Sequence, residues 1–151
     1  VIQQIGDPKS IYANPANSFV ANFIGVANLF EGNLSDRKGK NATAKIDFGG
    51  DVGVKELLAN DVSNIPSNSK IYLCIRPEDM ELSAKKFSGE LAKNSITGKV
   101  IETVYLGNFL ECRVKIGNYE MIIQLDHFEQ LKKGQSVNVS FKAAHGLLLS
   151  D

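Results

Sequence analysis

Short runs in which apolar and polar residues alternate constrain this 151-residue chain more than any other feature of its sequence. The segments 71–76, 110–116 and 136–141 all show the alternation. Because successive side chains of a strand point to opposite faces, the pattern is typical of strands with one face on a core and one in water. Gly117–Asn118 has the chemistry of a two-residue hairpin turn between two such strands.

Many short strands and few helices are therefore expected in most of the chain. Further strands are predicted at 29–34, 42–48, 96–106, 119–125 and 147–149. Such a series favours small antiparallel barrels or a sandwich. The stretch 60–69 is rich in Asn, Ser and Pro and is predicted to be a loop that divides the β part into two halves. The sequence shows no repeat of fixed period.

The N-terminal segment has a different character. Asp7–Pro8 predicts a helix start, and Asn14–Pro15 predicts its end. A second helix, ending at Gly25, is predicted to carry an apolar face. That face consists of Phe19, Val20, Phe23 and Ile24. Residues 1–27 are thus predicted to be a helical linker, and residues 28–151 a β domain.

Composition excludes several classes of protein. The chain has 17 basic and 17 acidic residues, so its formal net charge is zero and a general nucleic-acid binder is disfavoured. No apolar run approaches the roughly 18–20 residues that span a bilayer. The chain opens at Val1 without an initiator Met or a signal peptide. We therefore expect an excised fragment of a longer protein.

Residues that would indicate an enzyme are missing from the sequence. There is no G-x-x-x-x-G-K-[ST] phosphate loop and no G-x-S-x-G elbow. His127 and His145 lie in different predicted elements and are expected to be structural or solvated. Cys74 and Cys112 lie in strand-like runs and are expected to be buried apolar residues. We expect no catalytic, metal or cofactor site in this chain.

Two segments resemble a known family. Residues 2–30, IQQIGDPKSIYANPANSFVANFIGVANLF, resemble the junction between the ATPase domain and the C-terminal extension in ATP-binding subunits of bacterial ABC importers. The matching positions are Gly6, Pro8, Ile11, Tyr12, Asn14, Pro15, Phe19, Val20, Ala21, Phe23, Ile24, Gly25 and Asn28.

The second segment, LCIRPEDMELS at 73–83, resembles a strand and turn of the regulatory domain appended to those subunits, often called TOBE. The match is carried by Ile75 followed by the motif Arg76, Pro77, Glu78 and Asp79. This motif has two readings: the proline and the paired charges end a strand, or they bind a ligand. The structural reading is favoured. The tail departs from the family, because many relatives carry a Pro-Glu pair where this chain reads KAAHGL at 142–147.

The resemblance implies a mainly β fold of small barrels, similar to oligonucleotide/oligosaccharide-binding (OB) folds, with two intertwined units preceded by the two short helices. It implies a regulatory and dimerisation domain that supports ATP-driven solute uptake without hydrolysing ATP, since ATP and Mg would bind the missing domain. The implied partners are a second copy, the ATPase domain, the permease subunits, and a regulatory protein or small molecule. The implied location is the cytoplasmic face of the membrane, with Phe19, Val20, Phe23, Ile24, Gly25 and Asn28 as linker or interface.

Two alternative functions stay open. Paired barrels of this kind also serve as small-ligand or oxyanion-binding modules. Related barrels bind single-stranded nucleic acid, although zero net charge argues against that reading. The run IRPEDMEL is more similar to ferric-iron and polyamine importers than to sugar importers, but it does not identify a transported solute.

Overall fold

The described part of the chain is mainly β, as predicted. The computed structural model describes residues 27–38, 41–60, 65–66, 68–126 and 130–149. The predicted helical linker falls almost entirely in residues 1–26, outside the described residues. Its two helices and the apolar face formed by Phe19, Val20, Phe23 and Ile24, with Gly25, therefore stay predictions.

Ten strands, one helical turn and two 3₁₀ turns make up the described elements. The first five strands are β1 (Asn28–Lys38), β2 (Asn41–Asp47), β3 (Val54–Asn60), β4 (Lys70–Ile75) and β5 (Met80–Ser83). The other five are β6 (Ile96–Tyr105), β7 (Leu110–Ile116), β8 (Tyr119–Leu125), β9 (Ser136–Phe141) and β10 (Leu147–Leu149). The helix α1 spans Glu90–Lys93, and the 3₁₀ turns span Pro77–Asp79 and Ala143–His145.

These strands form a closed barrel and an open sheet. The barrel has the order β1-β2-β3-β10-β4, and the five-stranded sheet has the order β5-β9-β6-β7-β8. Neighbouring strands are antiparallel except for β10 and β3, which run parallel. A single apolar cluster fills the barrel and the inner face of the sheet. An aromatic trio joins the two, because the rings of Phe30, Phe48 and Tyr119 meet edge to face at 5.2–5.7 Å.

The two sheets are built by two structurally equivalent halves of the chain. In each half four strands pair in the same order, and the first strand has a bulge, after Leu34 in β1 and after Val100 in β6. The equivalent residues Asn28 and Asn94 are separated by the same number of positions as Leu34 and Val100. This repeat corrects the expectation that the chain has none. The two halves share fold and spacing but few residue identities.

The last strand of each half pairs in the sheet of the other half. β5 follows the four strands of the barrel but pairs with β9 of the open sheet. β10 follows the strands of the open sheet but closes the barrel between β3 and β4. The two halves are therefore intertwined. The chain leaves the barrel at residues 76–79, whereas the sequence analysis placed the division near 60–69; β4 lies beyond that loop and still belongs to the barrel.

Two strands were missed by the sequence analysis. In β3 the first three side chains are exposed and only Leu57 and Ala59 are buried, so its alternation is too short to stand out. β5 has four residues. The hairpin turn predicted at Gly117–Asn118 is confirmed between β7 and β8.

Candidate functional site

The two 3₁₀ turns are equivalent elements that meet at one side of the molecule. Each follows an extended basic residue, Arg76 (φ −75°, ψ 149°) in the first half and Lys142 (φ −74°, ψ 140°) in the second. The amide of Asp79 donates to the carbonyl of Arg76 at 3.0 Å, and the amide of His145 donates to the carbonyl of Lys142 at 2.9 Å. The motif at 76–79 therefore has a structural counterpart at 142–145.

Proline accounts for the first turn. Pro77 has no amide to donate to a ladder and has a φ suited to the first position of a turn, so β4 ends at Ile75. Its ring is buried, while Glu78 is exposed. In the second turn Ala143 occupies the equivalent buried position. The second turn, which has no Pro-Glu pair, thus has the same backbone conformation as the first.

A cleft of about 460 Å³ lies beside the first turn. It is bounded by both turns, by β5 and by the end of β8. Its lining residues are Glu78, Asp79, Met80, Glu81, Leu82, Gln124, Leu125, Asp126, Lys142 and His145. Four of these carry carboxylates, against one lysine and one histidine. The cleft is therefore acidic around an apolar floor, a character that disfavours a small anion.

One contact joins the two turns across the cleft. Nδ1 of His145 lies 3.9 Å from Oδ1 of Asp79, and both side chains are partly exposed. This distance is too long for a hydrogen bond, so the pair attracts only through charge when the imidazole is protonated. Within the described ranges no group of three His, Cys, Asp or Glu side chains could hold a metal ion.

The structure places the sequence-predicted residues as follows. Glu78 and Asp79 line the cleft, whereas Pro77 is buried and does not line it. Lys142 and His145 join them, and the sequence analysis had assigned neither to a site. The signal that could have found them is the spacing, because Asp79 and His145 are separated by the same number of positions as Arg76 and Lys142.

Asn28, the last residue of the first resembling segment, does not line the cleft. Its side chain is buried and pairs with both backbone groups of Ile122 on the outer edge of β8. Nδ2 donates to the carbonyl at 2.9 Å, and Oδ1 accepts from the amide at 2.8 Å. The equivalent Asn94 pairs in the same way with Leu58 on β3, at 2.9 and 2.8 Å, and also donates to the carbonyl of Phe141 at 3.1 Å. Each asparagine therefore closes an edge of the opposite half.

Both cysteines are buried and unlinked, as predicted. The Cys74 side chain is buried outside the main core of the barrel, in a small apolar cluster with Leu147 and Leu149. Burial raises the pKa of the Cys74 thiol to about 11, and the nearby Arg76 guanidinium opposes the shift weakly. The thiol is therefore protonated near neutral pH and is a poor nucleophile.

A second, shallower depression of about 430 Å³ lies on the outside of the barrel. Nζ of Lys70 contacts Oε1 of Glu31 there at 2.9 Å, and this hydrogen bond raises the pKa of Lys70. Both side chains are more than half exposed, so the pair is solvated.

Among the described residues, every helix is too short to span a bilayer.

Comparison with known proteins shows which family and which relatives this chain is similar to. Residues 73–149 match the family described as the TOBE domain. The spermidine/putrescine import ATP-binding protein PotA of Clostridium acetobutylicum is 33% identical over 139 residues, which cover 91% of this chain and 34% of that protein. The PotA protein of Vibrio vulnificus is 30% identical over 158 residues, which cover 100% of this chain and 40% of that protein.

The PotA protein of Legionella pneumophila is 28% identical over 129 residues, which cover 85% of this chain and 34% of that protein. This chain thus spans about a third of the length of the curated relatives it matches. Among solved structures, the cytoplasmic molybdate-binding protein ModG, with molybdate bound, superposes with a TM-score of 0.66. That match covers 82% of this chain and 96% of ModG at 20% identity, so it concerns the fold alone.

Proposed function

This chain belongs to the TOBE domain family, and from that premise we propose that it is the regulatory and dimerisation region of the ATP-binding subunit of a bacterial importer. The observation that carries the proposal is the similarity to import ATP-binding proteins over 85–100% of this chain. Most of the length of each relative has no counterpart here, so ATP and Mg would bind, and ATP would be hydrolysed, in that other part. This chain itself catalyses no reaction.

The proposal extends to partners and place. The ATPase domain of the same subunit, the permease subunits and a second copy of this region are the proposed partners. The proposed location is the cytoplasmic face of the cell membrane, where such a subunit contacts its permease. The names of the relatives support a polyamine as the transported solute.

The exchange of β5 and β10 joins the two halves of this chain into one domain. We propose that two such domains stay associated while two ATPase domains open and close. Such a link keeps the ATPase domains at high effective concentration. A ligand that prefers one arrangement of the paired domains would then bias ATP turnover.

A small-ligand-binding module is the second candidate, favoured by the cleft between the turns. The molybdate-binding neighbour shares the fold, which supports an oxyanion-binding alternative in principle. The four carboxylates of the cleft oppose an anion there and favour a cationic or neutral ligand. Single-stranded nucleic acid is disfavoured for a separate reason, because a chain with zero net charge provides little counterion release.

Uptake in the cell of origin tests the main proposal. Removing the coding sequence for residues 28–151 should reduce ATP-driven uptake of radiolabelled putrescine by at least about tenfold, while uptake of an unrelated sugar provides the control. Unchanged putrescine uptake would contradict a polyamine role, and unchanged uptake of every solute tested would contradict an importer role. Sedimentation of the purified chain up to high micromolar concentration tests pairing, for which we expect a dimer.

A further inference from the structure

One arm of the open sheet leaves a strand edge without a described neighbour. β9 pairs with β6 as far as Lys99, the loop before β9 bonds to Val100, and a bulge follows in β6. Residues 101–106, here called the β6 arm, continue with β7 on one side only. Val104, Tyr105 and Leu106 expose 38%, 63% and 46% of their surface. The arm therefore exposes apolar side chains beside a strand edge that, beyond Val100, pairs with no strand among the described residues.

The hydrogen-bond phase of the arm determines which peptide groups face outward. The amide of Leu106 donates to the carbonyl of Phe109 at 2.9 Å where the β6–β7 hairpin closes. Backbone bonds alternate along an antiparallel pair, so the peptide groups of Val104 also face β7. Those of Thr103 consequently face the open side, where no described strand pairs with them.

The first half of the chain provides an internal comparison. The equivalent segment of β1, after the bulge at Leu34, reads Ser-Asp-Arg-Lys at 35–38. In both halves the residue before the bulge exchanges backbone bonds with a loop, Leu34 with residues 68–69 and Val100 with residues 134–135. The first arm makes one further contact, from the Arg37 guanidinium to the carbonyl of Ile65. In the second half, residues 103–110 contain no charged side chain. One fold thus carries a polar first arm and an apolar second one.

Two other strand edges of the described sheets are protected at one position each. Asn94 occupies the edge of β3 at Leu58, and Asn28 occupies the edge of β8 at Ile122. The β6 arm has neither an asparagine of this kind nor the lysines and prolines that usually prevent pairing between exposed edges. It is therefore suited to accept another strand.

We propose that the β6 arm pairs antiparallel with the β6 arm of a second copy about a two-fold axis at Thr103. This inference rests on the proposed dimerising function and assigns its surface. The phase of the outward peptide groups permits this register, because Thr103 then faces Thr103 and Ile101 of each copy faces Tyr105 of the other. Pairs of threonines, and of an aromatic with a β-branched residue, stabilise adjacent strands.

The electrostatics of the arm agree with self-pairing. Glu102 is its one charged residue, and its carboxylate is held by Arg113 on β7 at 2.7 Å. The same guanidinium also contacts Glu120 on β8. Joining two arms therefore places no unpaired charge at the axis, and the isologous contact closes on itself as a dimer.

A proline at the axis tests the inference. Thr103→Pro removes the outward amide without removing a β6–β7 bond, and proline is tolerated at such an edge. Sedimentation equilibrium should show a dimer Kd raised at least tenfold. The control Thr103→Val keeps the amide and the β-branched shape and should dimerise like the parent chain. Circular dichroism of both variants establishes that the fold is retained.

Cross-linking provides a second test that does not depend on tolerance of proline. Residues that exchange backbone bonds across an antiparallel pair have Cα atoms about 5.5 Å apart, within the roughly 4.4–6.8 Å of disulfides. Mild oxidation should therefore link Thr103→Cys chains in pairs, whereas Arg37→Cys, at the equivalent place in the first half, should stay largely unlinked. The native cysteines are buried and do not compete.

The outcomes separate this inference from the proposed function. A dimer that resists Thr103→Pro and does not cross-link through Thr103→Cys would overturn the β6 pairing and leave dimerisation by another surface. A chain that is monomeric throughout would overturn both. Loss of the dimer in Thr103→Pro together with selective Thr103→Cys cross-linking supports the β6 arm.

Discussion

At the residue scale, two buried asparagines act as substitutes for a strand. The side-chain amides of Asn28 and Asn94 each donate to and accept from one residue on an exposed sheet edge. A primary amide has the same donor and acceptor geometry as a peptide group, so it satisfies both backbone groups while adding no further edge. This gives Asn28, at the start of β1, a structural role, where the family resemblance implied a linker or interface residue.

Replacing Asn94 should therefore be costly. Asn94→Ala leaves the amide and carbonyl of Leu58 and the carbonyl of Phe141 without this partner in a buried place. We expect a loss of about 2–4 kcal/mol in the free energy of unfolding, measured by urea denaturation. The control is Asn138→Ala, whose amide bonds at the surface and whose loss should cost less than about 1 kcal/mol. Equal losses in the two variants would contradict the edge-closing role.

Cys74 predicts a pH dependence at the alkaline end. Its pKa is raised from 9.0 to about 11 by burial, so between these values the unfolded chain loses the proton before the folded chain does. Stability is unaffected by this group below pH 9 and falls as pH rises from 9 toward 11, by roughly 2–3 kcal/mol. Comparing urea denaturation of the parent chain and Cys74→Ala over this range isolates the contribution. Parallel pH profiles would show that the thiol does not titrate as described.

At the element scale, the turns show how backbone conformation depends on sequence and on packing. The two 3₁₀ turns have the same backbone with different residues, which shows that Pro77 favours the turn but is not required for it. The Gly117–Asn118 hairpin turn is different, because it packs on another element. The amide of Asn118 donates to the carbonyl of Phe48 at 2.7 Å, which attaches the β7–β8 hairpin to the end of β2.

This contact predicts unequal effects of two similar glycine substitutions. Gly117 and Gly107 both have positive φ, at 57° and 85°. A Cβ at Gly117 would lie 2.3 Å from the carbonyl oxygen of Phe48, whereas one at Gly107 would meet nothing within 4 Å. Gly107→Ala should cost about 1 kcal/mol from conformation alone, and Gly117→Ala roughly 3 kcal/mol or more. Thermal unfolding measures both, and equal shifts in Tm would refute the close contact.

At the scale of the whole molecule, the exchange of final strands makes the halves one cooperative unit. β10 contributes Leu148 to the interior of the barrel although it follows the strands of the open sheet. Neither half contains all the strands of its own sheet. The domain should therefore unfold in a single transition rather than as two independent barrels.

Truncation tests this interdependence. A chain ending at Gly146 lacks β10, which opens the barrel and leaves β3 and β4 without their shared neighbour. We expect loss of the cooperative thermal transition, monitored by far-ultraviolet circular dichroism. The matched control ends at Leu149 and should unfold like the parent chain. A truncated chain that keeps a sharp transition with native strand content would argue that the halves fold separately.

The sequence by itself determined the class of fold, most of the strands, the Gly117–Asn118 turn and the burial of both cysteines. These features depend on local patterns, because alternation reports which face of a strand is buried whatever the strand pairs with. The tertiary structure alone decided which strands are neighbours. It also decided that β5 and β10 each pair in the sheet of the other half, and that Asp79 and His145 face each other across a cleft. Pairing joins residues far apart in the chain, and the two halves keep equal spacing while most of their side chains differ, so no local pattern specified these contacts.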